Sequence, residues 1–464
     1  MNGRFVILGN RQSRRIELFQ AALQRLAQPP AVVVAWAELL AGHARLDEII
    51  VAGDVVRLES PGKDFAVERA LLSLGADEPD EEDPTGLAYD RMPRSAAAAL
   101  IFDKGRIHTP RQWYLGFRAA LREVAGQLSR SATPVAAAGC DGRRHCSLSP
   151  VSEGEGWHAD RRGEHRHFPI SPSPQPSPLI TGEREPESPA FSMAPAAHRM
   201  MNCPHDVEIM FDKCRCHARL AAAGVAVPRG ITAGPIRCFD ELSAAMRSNG
   251  VRRVFVKLAH GSSASGVVAY QVNPDGRQRA ITTVEMVRQG GELVLYNSRR
   301  LCTYDDPRQI AELIDALARH RVHVEQWIPK AGIDGRTLDL RVLVIAGQVR
   351  HCVARMSRSP LTNLHLLNER ANETRVRRRM GEQAWHAAMA SCERAMACFP
   401  QSLHGGVDLL ISADFRLHAV LEVNAFGDLL PGALWHGMDS YEAEIKAMTG
   451  HPMASTTLAT EVAS

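Results

Sequence analysis

Short apolar runs alternate with helical patterns through residues 1–130 of the chain. Ser13 follows the first run and has the residue type and position of a helix N-cap. The alternation predicts a β-α-β start with parallel strands, and hence an α/β domain. The predicted strands are residues 5–8, 31–36 and 55–58, and the predicted helices are residues 13–27, 65–74 and 110–128.

From residue 202 onward, helical segments alternate with strand patterns that turn back on themselves, which predicts an α+β region of antiparallel hairpins. Three hairpins are predicted, at 253–258 with 266–272, at 338–345 with 348–356 around Ala346-Gly347, and at 406–412 with 417–424. Single strands are predicted at 292–296 and 322–328. Helices are predicted at 206–210, where Asp206 is the expected cap, and at 211–223, 238–248, 310–319 and 382–398.

Residues 131–198 differ in composition, being rich in Pro, Ser, Gly, Arg and Glu, with Ser171-Pro-Ser-Pro-Gln-Pro-Ser-Pro at the centre. Such a stretch buries too little apolar surface to offset its ordering entropy, so we predict a disordered insertion. It is also similar to a translated bacterial intergenic repeat; a Pro-rich recognition motif is the alternative. The tail, residues 451–464, is predicted to fray.

Composition narrows the classes of protein. The 464 residues are 45% hydrophobic and carry a formal net charge of +3, which gives no argument for nucleic acid. No apolar run approaches the roughly 18 residues of a membrane helix. The ten Cys lack paired spacing, which favours reduced thiols over disulfides or a structural zinc site. We expect a cytoplasmic protein with neither membrane nor nucleic-acid contacts.

The hairpin tip at Gly261–Gly266 is a candidate anion site. Small residues there let backbone N–H groups approach an anion, and Lys257 adds a charge at the end of the first strand. A Walker loop has its Lys after the glycines and continues into a helix, so this is a different arrangement. A simple turn remains the alternative.

Two further segments have two interpretations each. Arg111, Trp113 and Tyr114 either hold a substrate or form a helix start with buried aromatics. The basic run 375–379 either meets an acidic substrate or is a solvated loop.

The last hairpin contains a candidate metal site. Glu422 and Asn424 are two apart and leave the same face of one strand. A loop centred near Phe415 would place Asp408 opposite Glu422. Two carboxylates and an amide form an oxygen-only set that suits Mg²⁺. The alternative is an exposed polar sheet face.

Six motifs, in this order and approximate spacing, resemble the ATP-grasp superfamily, and the nearest likeness is to the ribosomal-protein glutamate ligases (RimK-like) and related amino-acid ligases. The motifs are Lys257 with its glycine hairpin, Glu325-Gln-Trp-Ile-Pro329, Asp339-Leu-Arg341, Thr362-Asn-Leu-His365, Gly406-Val-Asp408 and Leu421-Glu-Val-Asn424. The resemblance covers residues 206–444. It implies an ATP-grasp domain over 199–450, with lobes of about 206–328 and 329–450, after a pre-ATP-grasp α/β domain.

The resemblance also implies roles for particular residues. The ATP-binding set is Lys213 and Lys257 on the phosphates, Gly261, Ser262, Ser263 and Gly266 in a lid, Gln326 and Trp327 at adenine through backbone groups, and Asp339 near the ribose. Arg341, Asn363 and His365 are implied at the reaction centre, and Asp408, Glu422 and Asn424 as ligands of Mg²⁺ or Mn²⁺.

The implied activity joins a carboxylate to an amine through an acyl-phosphate, on a small metabolite or a peptide, in a protein that is often a homodimer. Two departures qualify it. First, Leu361 stands where the glutamate-ligase branch has an Arg, and Arg355 or Arg358 would have to substitute for it. Second, residues 425–432 differ from the small residues usual there, which implies an acceptor other than glutamate. A kinase-like phosphoryl transfer and a nucleotide-binding protein without ligase activity are the alternatives.

Overall fold

The computed structural model describes residues 3–83, 88–132, 198–231, 234–261, 265–362, 369–371, 373–427, 430 and 432–450. The chain divides into two compact units, residues 1–133 with 196–464 and residues 134–195, and every described helix and strand belongs to the first unit. Four predicted site residues lie outside the described residues: Ser262, Ser263, Asn363 and His365. Residues 133–197 of the predicted insertion and the tail 451–464 do so too.

A four-stranded parallel sheet begins the fold, as the β-α-β pattern predicted. Its strands are β1 (Phe5–Gly9), β2 (Val32–Ala35), β3 (Val55–Leu58) and β4 (Arg199–Met200), in the order β2-β1-β3-β4. Its helices are α1 (Arg14–Arg25), α2 (Trp36–Leu40), α3 (Leu46–Ile49), α4 (Phe65–Gly75), α5 (Arg94–Ala98) and α6 (Pro110–Ala132). Ser13 caps α1 as predicted, because its side chain accepts from the N–H of Arg15.

The second sheet is antiparallel, with five strands in the order β8-β7-β6-β5-β9. The strands are β5 (Arg253–Leu258), β6 (Val267–Val272), β7 (Gln278–Gln289), β8 (Glu292–Tyr304) and β9 (Val322–Gln326). The helices of this part of the chain are α7 (Pro204–Phe211), α8 (Lys213–Ala222), α9 (Phe239–Ser248) and α10 (Pro307–Ala318), of which α9 and α10 pack on this sheet. The β5–β6 hairpin is confirmed, with Lys257 paired to Val267. The prediction missed β7 and most of β8, where charged residues interrupt the apolar pattern.

The predicted cap at Asp206 is wrong. Helix α7 begins at Pro204, with Cys203 before it, so Asp206 lies inside the first turn. Its carboxylate instead accepts hydrogen bonds from Gln401 N at 3.2 Å and Ser402 Oγ at 3.0 Å. Proline at the first position starts the helix earlier because its missing N–H needs no partner there.

The third sheet is also antiparallel and runs β13-β12-β11-β14-β15, with β10 paired to β11. The strands are β10 (Gly332–Ile333), β11 (Arg336–Ile345), β12 (Gln348–Ser357), β13 (Glu369–Ala371), β14 (His404–Ile411) and β15 (His418–Asn424). The helices are α11 (Thr374–Met380), α12 (Glu382–Ala397) and α13 (Ser440–Thr449). Both predicted hairpins are confirmed. The basic run 375–379 is helical, which corrects the alternative of a solvated loop.

Each antiparallel sheet has one apolar face and one mixed face, because side chains alternate along a strand. Val254 and Val256 of β5 belong to an apolar core with residues of α9 and α10, while Phe255 and Lys257 belong to the other face. In the third sheet, Leu340, Val342 and Val344 pack in the core that includes α12. The alternate positions, Asp339 and Arg341, lie on the opposite face. The charged residues predicted to act in chemistry are therefore on the faces turned away from these helices.

No helix among the described residues is both long and apolar enough to cross a membrane.

Candidate active site

Lys213 joins the mixed faces of the two antiparallel sheets. It is the first residue of α8, and its Nζ lies 2.7 Å from Gly261 O and 3.4 Å from Glu422 Oε2. Gly261 follows β5, and Glu422 belongs to β15. One ammonium group therefore contacts the predicted anion loop and the predicted metal ligands together.

Lys257 is held in a buried ion pair with Glu325. The β5–β9 register places Glu325 diagonally across from Lys257, and Nζ lies 2.5 Å from Oε1. Burial acts to raise the pKa of Glu325. The charge of Lys257 and the hydrogen bond and charge of His323 outweigh burial, and the pKa falls to about 2. Burial opposes the charge on Lys257, while Glu325 and Glu422 more than compensate and raise its pKa. Both groups are thus charged at neutral pH.

The predicted oxygen ligands share two rungs of the last hairpin. Asp408 pairs with Glu422 and Gly406 with Asn424, as the predicted turn near Phe415 requires. Burial raises the pKa of Glu422, yet Lys213, Lys257 and Arg341 together lower it. Burial also raises the pKa of Asp408, and here the neighbouring arginines do not fully offset it.

Two arginines flank Asp408. Arg341 faces it across the β11–β14 register, with Nε 2.9 Å from Oδ1, and Arg355 Nη2 lies 3.1 Å from Oδ2. A Cβ at Gly406 would be only 3.1 Å from Arg341 Nη1, so glycine at this position leaves room for the guanidinium. Arg355 is 3% exposed and its Nε also lies 2.7 Å from Asp339.

Asp339 lies inside this charged network. It is 1% exposed, its Oδ1 is held by Arg355, and its Oδ2 is held by Lys330 at 2.9 Å and by the Thr362 hydroxyl. Burial raises the pKa of Asp339, but Arg355 and Lys330 outweigh it and leave it far below its usual range. These contacts are all internal, so its implied place near a ribose stays a prediction.

The linker after β9 carries Gln326 and Trp327. Both backbone N–H groups already donate, Gln326 to Arg229 O at 2.8 Å and Trp327 to Arg253 O at 3.1 Å. The Trp327 ring packs on Phe255, with ring centroids 5.3 Å apart. Leu361 belongs to the same apolar cluster, so an apolar patch lies on the sheet face that also carries Lys257.

The chemistry of the predicted donor set fits a magnesium ion. Among the described residues, no group of three or more His, Cys, Asp and Glu side chains is arranged to hold a metal. The predicted set instead has two carboxylates and one amide. Asn424 Nδ2 donates to Gly406 O at 3.0 Å, which leaves the amide oxygen as the free end of that side chain among the described residues. Asp408, Glu422 and Asn424 thus offer oxygen donors only, which suits Mg²⁺.

Sequence reasoning named most of this cluster but missed Lys330, and it gave no role to Glu325 or Thr362, which it quoted only within motifs. Lys330, Thr362 and the pairing role of Glu325 carry no local signal, because their partners are on other strands. Arg355 was named only as a substitute for the missing Arg. Arg355 lies opposite Asp339 because the β11–β12 register shifts by one residue between Leu343 and Val344, which the turn at Ala346-Gly347 alone does not predict. Arg358, the other suggested substitute, is exposed.

The start of α6 is a helix start with buried aromatic side chains, the second of the two predicted interpretations, and it lies beside a small polar pocket. Arg111 is 3% exposed and pairs with Asp80, Trp113 packs on Phe117, and Tyr114 is 2% exposed. A pocket of about 280 Å³ is lined by these polar groups, namely Asp80, Glu81, Glu82, Arg111, Tyr114, Arg118, Arg122, His205, Glu208, Asp212 and Arg215. The acidic and basic groups that line it are mixed, so it has no single preferred charge of ligand.

No family model matches the chain, and no curated protein is significantly similar to it. Solved structures are similar at low identity. D-cycloserine synthetase DcsG is 13% identical, with 97% of this chain and 99% of that chain covered and a TM-score of 0.48. The ATP-grasp ligase PsnB, complexed with a phosphomimetic variant of its minimal precursor, Mg and ADP, is 12% identical, with coverages of 97% and 99% and a TM-score of 0.43. Biotin carboxylase from Campylobacter jejuni is 12% identical, covers 97% of this chain and 72% of that chain, and has a TM-score of 0.44. At these values the similarities transfer no function to the chain.

Proposed function

We propose that the chain is an ATP- and Mg²⁺-dependent ligase of the ATP-grasp type that joins a carboxylate to an amine on a small metabolite or a peptide. One observation carries the proposal. Lys213 Nζ lies 3.4 Å from Glu422, which is opposite Asp408 on the last hairpin, and the charge of Glu422 also raises the pKa of Lys257, which comes from a separate element. Paired lysines next to an oxygen-only donor set suit a metal-bound polyphosphate.

The two lysines would bind the phosphates of ATP. Each is partly buried, so its charge acts through a poorly screening medium. Glu325 holds Lys257 extended toward the mixed face, and Gly261 O orients Lys213. The apolar cluster of Phe255, Trp327 and Leu361 lies on the sheet face that carries Lys257, and an adenine ring would pack against its half-buried member, Trp327.

Arg341 and Arg355 would stabilise the charge that develops during phosphoryl transfer. Both lie within 3.1 Å of Asp408, in a buried setting where fixed charges are effective. Arg355 is our candidate for the guanidinium that the glutamate-ligase branch has at the position of Leu361. Leu361 is 5% exposed and packs against Phe255, a place suited to an apolar residue.

Asp408, Glu422 and Asn424 would hold the metal, whose chemistry when bound is to neutralise phosphate charge. The proposed reaction has two steps. A substrate carboxylate attacks the γ-phosphate of ATP and displaces ADP, and an amine then attacks the acyl-phosphate and releases phosphate. The chain needs no covalent nucleophile, because binding and electrostatics position the reactants.

The proposal is tested by ATP turnover with Mg²⁺ across pooled carboxylates and amines, followed by division of any active pool. The test variant is Lys257→Met, and the matched control is Lys104→Met, since Lys104 is exposed and outside the site. We expect ADP and phosphate only with particular carboxylates, with turnover lost in Lys257→Met and kept in Lys104→Met. ADP with a stable phosphorylated product would replace the ligase with a kinase. Tight nucleotide binding without turnover in any pool would leave a nucleotide-binding protein.

A further inference from the structure

A buried cluster ties the start of α8 to the end of β5 and to α6. We define the anchor cluster as Tyr114, Asp212, His260 and Arg321. Asp212 is 1% exposed and Tyr114 is 2% exposed. None of these residues belongs to the predicted nucleotide, metal or catalytic set.

Asp212 is the centre of the cluster. One carboxylate oxygen caps α8 by accepting from the N–H groups of Cys214 at 2.9 Å and Arg215 at 3.1 Å. The other oxygen lies 3.1 Å from His260 Nε2 and 2.6 Å from Arg321 Nη1. The residue after this cap is Lys213, so the cap fixes where the lysine leaves the helix.

His260 connects that cap to helix α6. Its ring stacks on Tyr114 with centroids 4.1 Å apart and an interplanar angle of 18°. In the sequence, His260 follows Lys257 by three residues and directly precedes Gly261. The carbonyl oxygen of Gly261 accepts a hydrogen bond from Lys213 Nζ. The backbone adds a third link, since Lys213 N donates to Ala259 O at 3.0 Å.

We propose that the anchor cluster positions Lys213 and Lys257 relative to each other, with Tyr114 of α6 as the positioning residue that holds His260 in place. The inference rests on the proposed function, because it assigns the two lysines to nucleotide phosphates. Helix α6 would thereby set how well the site binds phosphate without itself touching the nucleotide. The lysine spacing depends on the cluster because Lys213 directly follows the Asp212 cap and His260 follows Lys257 by three residues, so the Asp212–His260 contact links the backbone segments that carry the two lysines.

The test compares two ligands, AMPPNP with Mg²⁺ and adenosine, each measured by displacement of a fluorescent ATP analogue. Only AMPPNP has phosphates, so a loss of lysine positioning lowers its affinity alone. For Tyr114→Leu we expect affinity for AMPPNP to fall about tenfold, with adenosine within about twofold of wild type. Tyr114→Phe keeps the stacked ring and should match wild type. An equal loss for both ligands, or no loss for either, would overturn the inference.

The matched control is Tyr441→Leu, which removes another buried tyrosine, 4% exposed and in contact with Phe19. It should lower thermal stability without changing the ratio of the two affinities; a changed ratio would show that general destabilisation explains the result and would overturn the inference. If wild type binds adenosine but not AMPPNP, the proposed function fails. If wild type binds both AMPPNP and adenosine and Tyr114→Leu keeps the wild-type ratio of the two affinities, only the positioning role fails.

Hydrogen exchange on wild type serves if Tyr114→Leu does not fold. The amides of Cys214 and Arg215 donate to the Asp212 cap, so they report on the cluster directly. We expect their exchange to slow with AMPPNP and to stay unchanged with adenosine. Unchanged exchange with both ligands would contradict the proposal.

Discussion

Arg341 and Asp408 face each other across neighbouring strands, with the guanidinium Nε 2.9 Å from the carboxylate Oδ1. Glu422 follows on the same rung, on the next strand. A cation and two carboxylates thus lie in a row across three strands. Because Arg341 and Asp408 are buried, each of these two charges depends on its neighbours for compensation.

Replacing Arg341 should impair chemistry more than nucleotide binding. In Arg341→Gln, Asp408 keeps Arg355 at 3.1 Å, so the fold should survive. We expect kcat for ATP turnover to fall by about 10²-fold, the usual result of removing one electrostatic group from a reaction centre. Affinity for AMPPNP should stay within about threefold. The control is Arg336→Gln on the same strand, whose partner Glu369 is exposed. Equal effects of the two variants on kcat would contradict this role.

Lys257 should contribute separately to stability and to nucleotide binding. Lys257→Met leaves the carboxylate of Glu325, only 1% exposed, without its nearest cation, so we expect a loss of about 3 kcal/mol in the free energy of unfolding. The double variant Lys257→Met with Glu325→Gln should regain most of that loss. Urea denaturation measures it. AMPPNP affinity should be reduced in both variants; recovery of affinity in the double variant would contradict phosphate binding by Lys257.

Glu325 should make stability depend on pH. Its pKa is lowered from 4.5 to about 2 in the folded chain, so its stabilisation is complete above about pH 4.5 and is lost as the pH falls toward 2. The full contribution is about 3 kcal/mol. Wild type should exceed Glu325→Gln by about that amount near neutral pH, and the gap should close in acid. Urea denaturation across this range is the measurement, and a gap independent of pH would rule out the titration.

Gly266 should be intolerant of a side chain. Its φ is +65°, and a Cβ would lie 2.2 Å from Leu258 Cδ1. Gly276 provides the comparison, because its φ is +83° but nothing lies within 4 Å of a Cβ. We expect Gly276→Ala to cost about 1 kcal/mol of unfolding free energy and Gly266→Ala about 2 kcal/mol more. Equal losses in urea denaturation would mean that Leu258 yields without cost.

Local patterns predicted the elements that position the site. The hairpin at 406–424 was predicted with its register because a short loop near Phe415 brings Asp408 opposite Glu422 within one stretch of sequence. The pairings of β5 with β6 and of β11 with β12 around Ala346-Gly347 were also predicted, without a register, and are confirmed. Long strands that contain charged residues were harder to predict. Strand β7 was missed because Arg, Glu and Thr interrupt its apolar positions.

The sequence by itself determined the strands and hairpins that carry the site and which of their charged residues share a face, since these follow from the two-residue repeat of a strand and from short turns. Only the tertiary structure decided which charges meet. Lys213 reaches Glu422, Lys257 pairs with Glu325, and His260 stacks on Tyr114. These partners are far apart in the chain or on separate elements, and their contact depends on how helices and sheets pack, a relation that no local periodicity encodes.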